Sequence, residues 1–367
     1  RLQVDRLEAD DQPLLQGGLR YQRGADGQYG LDADIDSLQL SSIAPWLSYL
    51  QASSALTAQA AGLGGELRAM VLRLRQGADR TRYSLRADLH DLSLQPQAGG
   101  RLGFRHLNAS LSATEGGGRL KLSGAPLELQ LPKTLAQALP FESVSGELQW
   151  ARSTEGWTLN APRFEWQLLQ TRGGGDLRLD LPAQKSASPR IDLAASFSAD
   201  DLVALKPYMP LHWDVHLREW LDRAVVAGRV PRATLALRGP LADFPYQERE
   251  TGEWKLDLDA TGGRLAFAPD WPSVDNLSAR LLFSGNALEI QSDSASISGN
   301  RVDQVRAKIA DFRERLLVID AAASGETARF YDFLRKSPLQ KQLGGLTDHT
   351  RASGPARVAV HLDIPLR

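Results

Sequence analysis

Strict alternation of apolar and polar residues recurs along nearly the whole chain, and no other property limits its fold so severely. In "LELQLP" the apolar set is Leu127, Leu129 and Leu131, and in "DLRLDLP" it is Leu177, Leu179 and Leu181. "ATLALRG" contributes Leu235 and Leu237, "EWKLDLDA" Leu256 and Leu258, and "ALEIQ" Leu288 and Ile290. A period of two puts every second side chain on one face of a β-strand, so each segment has an oily face and a wet one. Glycine-rich stretches at 116–118, 173–175 and 261–263 are expected as turns between strands, because glycine takes the positive φ of tight hairpins. The pattern predicts a mainly β chain built as an antiparallel meander.

The alternating segments also repeat as groups. From "SVSGELQW" the order is "WTLNAPRFEW", "GGDLRLDLP" and "RIDLAASFSADDLVALKPYMP". From "VDNLSARLLF" it recurs as "ALEIQSDSASI", "RVDQVRAKIADF" and "LLVIDAAASGETARFYDFLRKSPL". Each copy reads as four strands and a short amphipathic helix, with Ser198 and Ser324 expected to cap the helix starts. "YGLDADIDSLQLSSIAPWLSYL" reads as a partial third copy that runs into a Pro- and Trp-containing helical turn. The expected organisation is a repetitive segment over 1–142 with a partial module at its start, a module over 143–230 ending in helices, and a module over 231–367 with a helix near 325–336. Together they form one continuous elongated domain, in which "PAQKSASP" at 182–189 is a hairpin loop.

One segment, "KPYMPLHWDVHLREWLDRAVVAG" at 206–228, breaks the alternation. It predicts a helix over 213–226 closed by Gly228. Met209, Trp213, Leu217, Trp220, Leu221 and Ala224 share one side, and the pairs Asp214/Arg218 and Glu219/Arg223 lie on another. The apolar stripe either packs on the sheet as ordinary core or gates an apolar cleft. His212 and His216 have the four-residue spacing of metal ligands, but Trp213 stands where a HExxH site carries glutamate and no third ligand is marked. They read as exposed polar residues, and no metal or cofactor is implied.

With 43 basic and 44 acidic residues interspersed, the chain lacks the footprint of a nucleic-acid binder. The absence of cysteine removes thiolate chemistry and suits an oxidising compartment. No run approaches the roughly 18 apolar residues of a membrane span. The start at Arg1 and the ending in mid-pattern suggest a segment of a longer polypeptide. Adjacent acids, the "GGGD" at 173–176 and the plentiful serines fit no catalytic arrangement, so an enzyme is disfavoured.

At about 12 residues per strand and turn the chain offers about 20 to 25 strands, too many for one flat sheet. Two solutions stay open: stacked sandwiches with a closed core, or a sheet curled into a groove whose inner wall is the aliphatic face. The scarcity of aromatics, 7% of the chain, favours the groove.

Tyr208-Met209-Pro210, Trp220-Leu221, Gly239-Pro240-Leu241, Phe244-Pro245-Tyr246, Gly252-Glu253-Trp254 and Trp271-Pro272, taken in order and spacing, resemble the central part of the YhdP-like branch of the AsmA-like family of bacterial inter-membrane lipid-transport proteins. The resemblance implies a periplasmic groove that carries phospholipid acyl chains, in a protein anchored in the inner membrane and reaching toward the outer one. On that basis Leu127, Leu129, Leu177, Leu179, Leu235, Leu237, Leu256, Leu258, Leu288 and Ile290 are expected to line the groove, and Met209, Trp213, Leu217, Trp220 and Leu221 to form a gate helix. The alternative is a structural or interaction scaffold of the cell envelope with a closed core and no lipid.

Overall fold

A computed structural model describes residues 2–9, 12–23, 28–42, 62–77, 81–96, 102–184, 186–246, 251–342 and 351–365. Its strands are β1 (Leu2–Ala9), β2 (Gln12–Arg23), β3 (Tyr29–Gln39), β4 (Leu63–Gln76), β5 (Thr81–Leu94), β6 (Gly103–Thr114), β7 (Gly117–Gln130), β8 (Leu139–Arg152), β9 (Gly156–Leu168), β10 (Thr171–Pro182), β11 (Arg190–Ala199), β12 (Val225–Pro240), β13 (Glu253–Leu265), β14 (Val274–Ser284), β15 (Ala287–Ile297), β16 (Asn300–Ile309), β17 (Leu316–Glu326) and β18 (Pro355–Pro365). Short 3₁₀ turns occupy Leu40–Ser42, Val203–Tyr208 and Leu241–Asp243, and the α-helices are α1 (Val215–Ala224), α2 (Thr327–Arg335) and α3 (Leu339–Gln342). The 18 strands form one antiparallel sheet. Each ladder joins neighbours in sequence, β1 to β2 and onward to β9, then β11 to β12 and onward to β18. The meander expected from the alternation is what forms.

The chain divides into two compact units, Arg1–Leu169 with Gly174–Pro189, and Gln170–Gly173 with Arg190–Arg367. The last cut falls at 189/190, between β10 and β11 in the chain. Positions 142/143 and 230/231 lie inside β8 and β12. The two full sequence copies appear as β8–β11 followed by the Val203–Tyr208 turn and α1, and as β14–β17 followed by α2 and α3. The partial copy runs from β3 into the Leu40–Ser42 turn, and Pro45 and Trp46 lie outside the described residues.

In the first unit the buried set is Ala33, Ile35, Met70, Ala87, Leu89 and Ala109, with Leu38, Leu67, Leu72 and Leu85 among the larger side chains packed on it. In the second unit Ala199, Val230 and Ala233 are buried beneath Phe197, Leu202, Leu205, Leu256 and Leu258. In the second unit small residues go under and the long aliphatic ones stay partly open, whereas in the first Ile35, Met70 and Leu89 are buried as well.

Several local expectations are corrected. Residues 173–175 lie inside β10 and 261–263 inside β13, so neither is a turn. Gly262 takes φ +61 where the β13 register slips between Ala260 and Gly263, which makes the stretch a bulge. A Cβ on Gly174 would meet the Phe164 carbonyl oxygen at 2.6 Å, so glycine there serves close backbone approach. Only 116–118 stands at a strand junction, between β6 and β7.

Neither serine caps a helix, because strand pairing runs further than the pattern indicates. Ser198 lies in β11 and accepts from Arg172 Nε at 3.4 Å, while Asp201 Oδ1 accepts from the Val203 amide at 2.8 Å. Ser324 lies in β17 and donates to Asp303 Oδ2 at 2.7 Å. Gly228 does not close α1, since the helix passes into β12 directly at Val225. Asp214 caps α1, accepting from the His216 and Leu217 amides at 2.9 and 3.2 Å instead of pairing with Arg218. Arg223 Nε donates to the Glu219 backbone oxygen at 3.3 Å, not to its carboxylate.

One cross-strand contact makes pairing pH-dependent. His361 Nδ1 on β18 stands 2.7 Å from Asp320 Oδ1 on β17, and this bond, with the charges of Asp320 and Asp363, raises the imidazole pKa above its ordinary value. A raised histidine pKa in the folded state gives stability that is complete below the ordinary value of about 6.5 and lost as pH climbs through the raised one. Amide exchange at Val360 and Leu362, corrected for intrinsic rate, is therefore expected to lose protection as pH rises above about 6.5, and His361→Gln to flatten the profile. The contact is solvent-exposed, so the effect stays local to β18.

Candidate functional site, the apolar sheet face

Register turns the alternation into continuous rows, because residues paired directly across an antiparallel ladder share a face. In the second unit one row reads Phe197, Ala233, Leu258, Leu281, Ile290, Ala307, Ile319, Leu362 and crosses every strand from β11 to β18. A neighbouring row reads Ala195, Leu235, Leu256, Phe283, Leu288, Ile309, and Leu237 pairs with Trp254 beyond it. In the first unit the corresponding row is Leu19, Ala33, Leu72, Leu85, Ala113, Gly118, Trp150, Leu159, from β2 to β9. Leu129 pairs with Phe104 and Leu139, and Leu127 with Phe141.

All ten residues expected to line an apolar path, from Leu127 to Ile290, are half-buried, none fully covered and none fully exposed. Ladder pairing brings Leu235, Leu237, Leu256, Leu258, Leu288 and Ile290 together on one face of the second unit. Leu127 and Leu129 lie on β7 and Leu177 and Leu179 on β10, all in the first unit. Pattern reading missed Leu281 because "RLLFS" holds three successive apolar residues and alternation alone cannot choose between them. Its partners decide: Leu281 stands between Leu258 and Ile290, whereas Leu282 pairs with Asp257 and Glu289 on the other face.

The opposite face is wet and cross-linked by charge. In the second unit Arg238 reaches Asp192 at 3.0 Å, Arg232 reaches Asp259 at 2.8 Å, Arg280 reaches Asp257 at 2.6 Å and Lys308 reaches Glu289 at 3.2 Å. In the first unit Arg73 and Arg75 hold Asp34 and Asp32 at 2.6 and 2.7 Å. The hydrogen bond from Arg280 keeps the Asp257 carboxyl below its ordinary pKa, and Arg75 does the same for Asp32. Such exposed pairs each contribute little, about 0 to 1 kcal/mol, but they keep this face hydrated and distinct from the other.

At one end of the second unit's strands, helices and aromatics border the apolar face. Leu202 and Leu205, around the Val203–Tyr208 turn, pack on its end. Trp220 Nε1 on α1 donates to the Phe267 carbonyl at 2.9 Å, and the rings of Phe267, Trp271 and Phe333 follow at 5.8 Å steps, tying α1 to α2. The expected stripe divides: Met209 and Trp213 precede α1, which starts at Val215, not 213; Ala224 is fully buried and Leu221 and Met209 half-buried, whereas Trp213, Leu217 and Trp220 are 40%, 45% and 37% exposed. The helix borders the face without filling it. At the other strand ends Phe244, Trp254 and Phe283 form a second aromatic border, with ring centres 5.9 and 6.4 Å apart. His212 and His216 are both exposed, and His216 Nδ1 is 3.9 Å from Glu219. Among the described residues no group of three or more His, Asp or Glu is placed to hold a metal, and no helix is long and apolar enough to cross a membrane.

Chemically, the arrangement offers hydrocarbon a continuous aliphatic strip and offers water the reverse side. A family model described as YhdP protein matches residues 1–367. The intermembrane phospholipid transporter YhdP of Escherichia coli (strain K12) is 27% identical over 299 residues, which make up 79% of this chain and 23% of that protein. The chain thus spans about a quarter of the length of the curated relative it matches. No solved structure matches.

Proposed function

Because the chain belongs to the YhdP family, we propose that its apolar sheet face shields phospholipid acyl chains as they pass between the inner and outer membranes of a Gram-negative envelope. This segment works in the periplasm, in a protein held at the inner membrane by regions other than those described. Its cargo is phospholipid, and the reading requires neither catalytic group nor cofactor. The relative's name as a phospholipid transporter supports lipid as cargo.

The observation that carries the proposal is the partial burial of the long aliphatic side chains in rows eight strands wide, Leu258, Leu281 and Ile290 at their centre. In a closed sandwich such residues are covered by the opposing sheet. Left half-open, they offer apolar surface to an acyl chain, whose transfer out of water gains about 0.8 kcal/mol per CH₂ and on the order of 10 kcal/mol for a whole tail. From Ala233 to Ile319 the second unit's row holds only Leu, Ile and Ala, which give no deep minimum there, so a tail can slide. Headgroups stay in water beyond the strip.

Native mass spectrometry and solvent extraction of the chain purified from a Gram-negative host test this. Phospholipid is expected to accompany the protein and to exchange into added vesicles. A chain that carries no phospholipid and takes none up has its apolar face closed by self-packing, and the scaffold alternative then replaces this reading.

A further inference from the structure

The wet face of the first unit contains a cleft that acyl-chain shielding leaves unused. Elsewhere on that face cation meets carboxylate, as Arg73 and Arg75 do with Asp34 and Asp32. Around Ser110 and Ser112 the pattern breaks. Arg86, Arg119 and Lys121 make no ion pair among the described residues, and they line a cleft of 510 Å³ together with Ser110, Ser112, Asp88 and Glu147.

Register explains the concavity. Arg86 pairs with Ser112 and Ser112 with Arg119; alongside, Asp88 pairs with Ser110, Ser110 with Lys121, and Lys121 with Glu147. Two short hydroxyl side chains on β6 are thus flanked by long charged ones on β5 and β7, so the middle strand forms a floor. On β4 the ladder slips between Arg68 and Val71, where Ala69 takes φ +46, and Ala69 closes one side of the cleft. One carboxylate oxygen of Glu147 is engaged by Gln149 Nε2 at 2.7 Å. Three cations against two carboxylates leave the lining with excess positive charge.

We propose that this cleft binds a phosphate group. Two guanidinium forks and an ammonium converging from β5 and β7 over two hydroxyl donors fit a tetrahedral oxyanion, whose oxygens accept from several directions, better than a planar carboxylate. The remaining volume accommodates the glycerol or sugar that carries the phosphate. The cleft lies on the reverse side of the sheet from the apolar rows, so a lipid seated on those rows cannot place its phosphate here. The ligand is therefore a separate phosphate, either a lipid headgroup at a membrane surface or a soluble phosphate ester. The inference stands independently of acyl-chain shielding.

Calorimetric titration with glycerol 3-phosphate and co-sedimentation with phosphatidylglycerol vesicles, against phosphatidylcholine vesicles as blank, distinguish the two sources. Saturable binding of glycerol 3-phosphate supports a soluble ester, and sedimentation with phosphatidylglycerol alone supports a headgroup. In either case the double variant Arg119→Gln/Lys121→Gln is expected to bind at least tenfold more weakly and to show a shallower salt dependence. Arg178→Gln, which removes one cation on another strand, serves as the control outside the cleft and is expected to leave binding unchanged. The substituted side chains are exposed, so far-UV circular dichroism and co-purifying lipid should match the parent chain. Failure of the parent chain to bind either probe, or equal binding by parent and double variant, overturns the proposal.

Discussion

Ile290→Asp is expected to strip phospholipid from the second unit while leaving it folded. Ile290 sits mid-row between Leu281 and Ala307 and is half-buried, so an aspartate there keeps much of its hydration, and the fold loses about 1 to 2 kcal/mol of apolar burial. An acyl tail laid over the same position must desolvate the carboxylate, a cost of several kcal/mol and enough to lower bound lipid at least tenfold. Ala233→Asp offers the contrast: Ala233 is fully buried in the same row, and an unpaired charge there is expected to cost about 3 kcal/mol or more and to lower the melting temperature of the unit. Extracted phospholipid per chain, read beside thermal melting, separates the two. In the first unit Leu179→Asp should behave like Ile290→Asp. Folded Ile290→Asp and Leu179→Asp chains that retain the parent's lipid content would remove the apolar rows as the carrier surface.

Gly156→Val is expected to lower the melting temperature of the first unit by about 6 to 12 °C, the equivalent of a loss of roughly 3 kcal/mol at this size. Gly156 opens β9 with φ +142, and an added Cβ would lie 2.1 Å from the Leu181 carbonyl oxygen and 2.7 Å from the Ala183 amide nitrogen. Both are backbone atoms that cannot swing aside, and a β-branched residue is strained at that φ. Gly18→Ala is the control, because nothing lies within 4 Å of its new methyl, and a change within about 0.5 kcal/mol is expected. Equal melting of the two variants would show that β9 can shift to admit a side chain.

The alternation made the strands legible because burial on one face is a property of each strand by itself. "LELQLP" and "WKLDLDA" are strands for a reason visible in their own residues. What depends on the neighbouring strand was hidden. The glycines at 173–175 and 261–263 have the composition of turns, and only the slip of β13 against β14 and the approach of Phe164 to Gly174 reveal them as strand interior. Ser198 and Ser324 have the identity of helix caps, yet cross-strand pairing extends β11 and β17 through them. The same holds at the apolar site. Leu256 and Ile290 could be named from their segments, but Leu281, Ile319 and Leu362 join them only once the ladders fix which residues face each other. The stripe on α1 was recognisable as amphipathic, while its division into a buried Ala224, beside the start of β12, and an open Leu217 was not.

The consecutive pairing of the ladders also constrains how such a chain can change in length. In an up-and-down sheet the loss of a single strand reverses the direction in which all later strands arrive, and a connection would then have to run the length of the sheet. Removal or duplication of an adjacent pair leaves every later direction intact and shifts the free edge by about 10 Å. Evolution along this design is therefore quantised in hairpins. The same local pairing lets each hairpin dock on the one before it, so a polypeptide delivered end-first can fold in the order of its delivery.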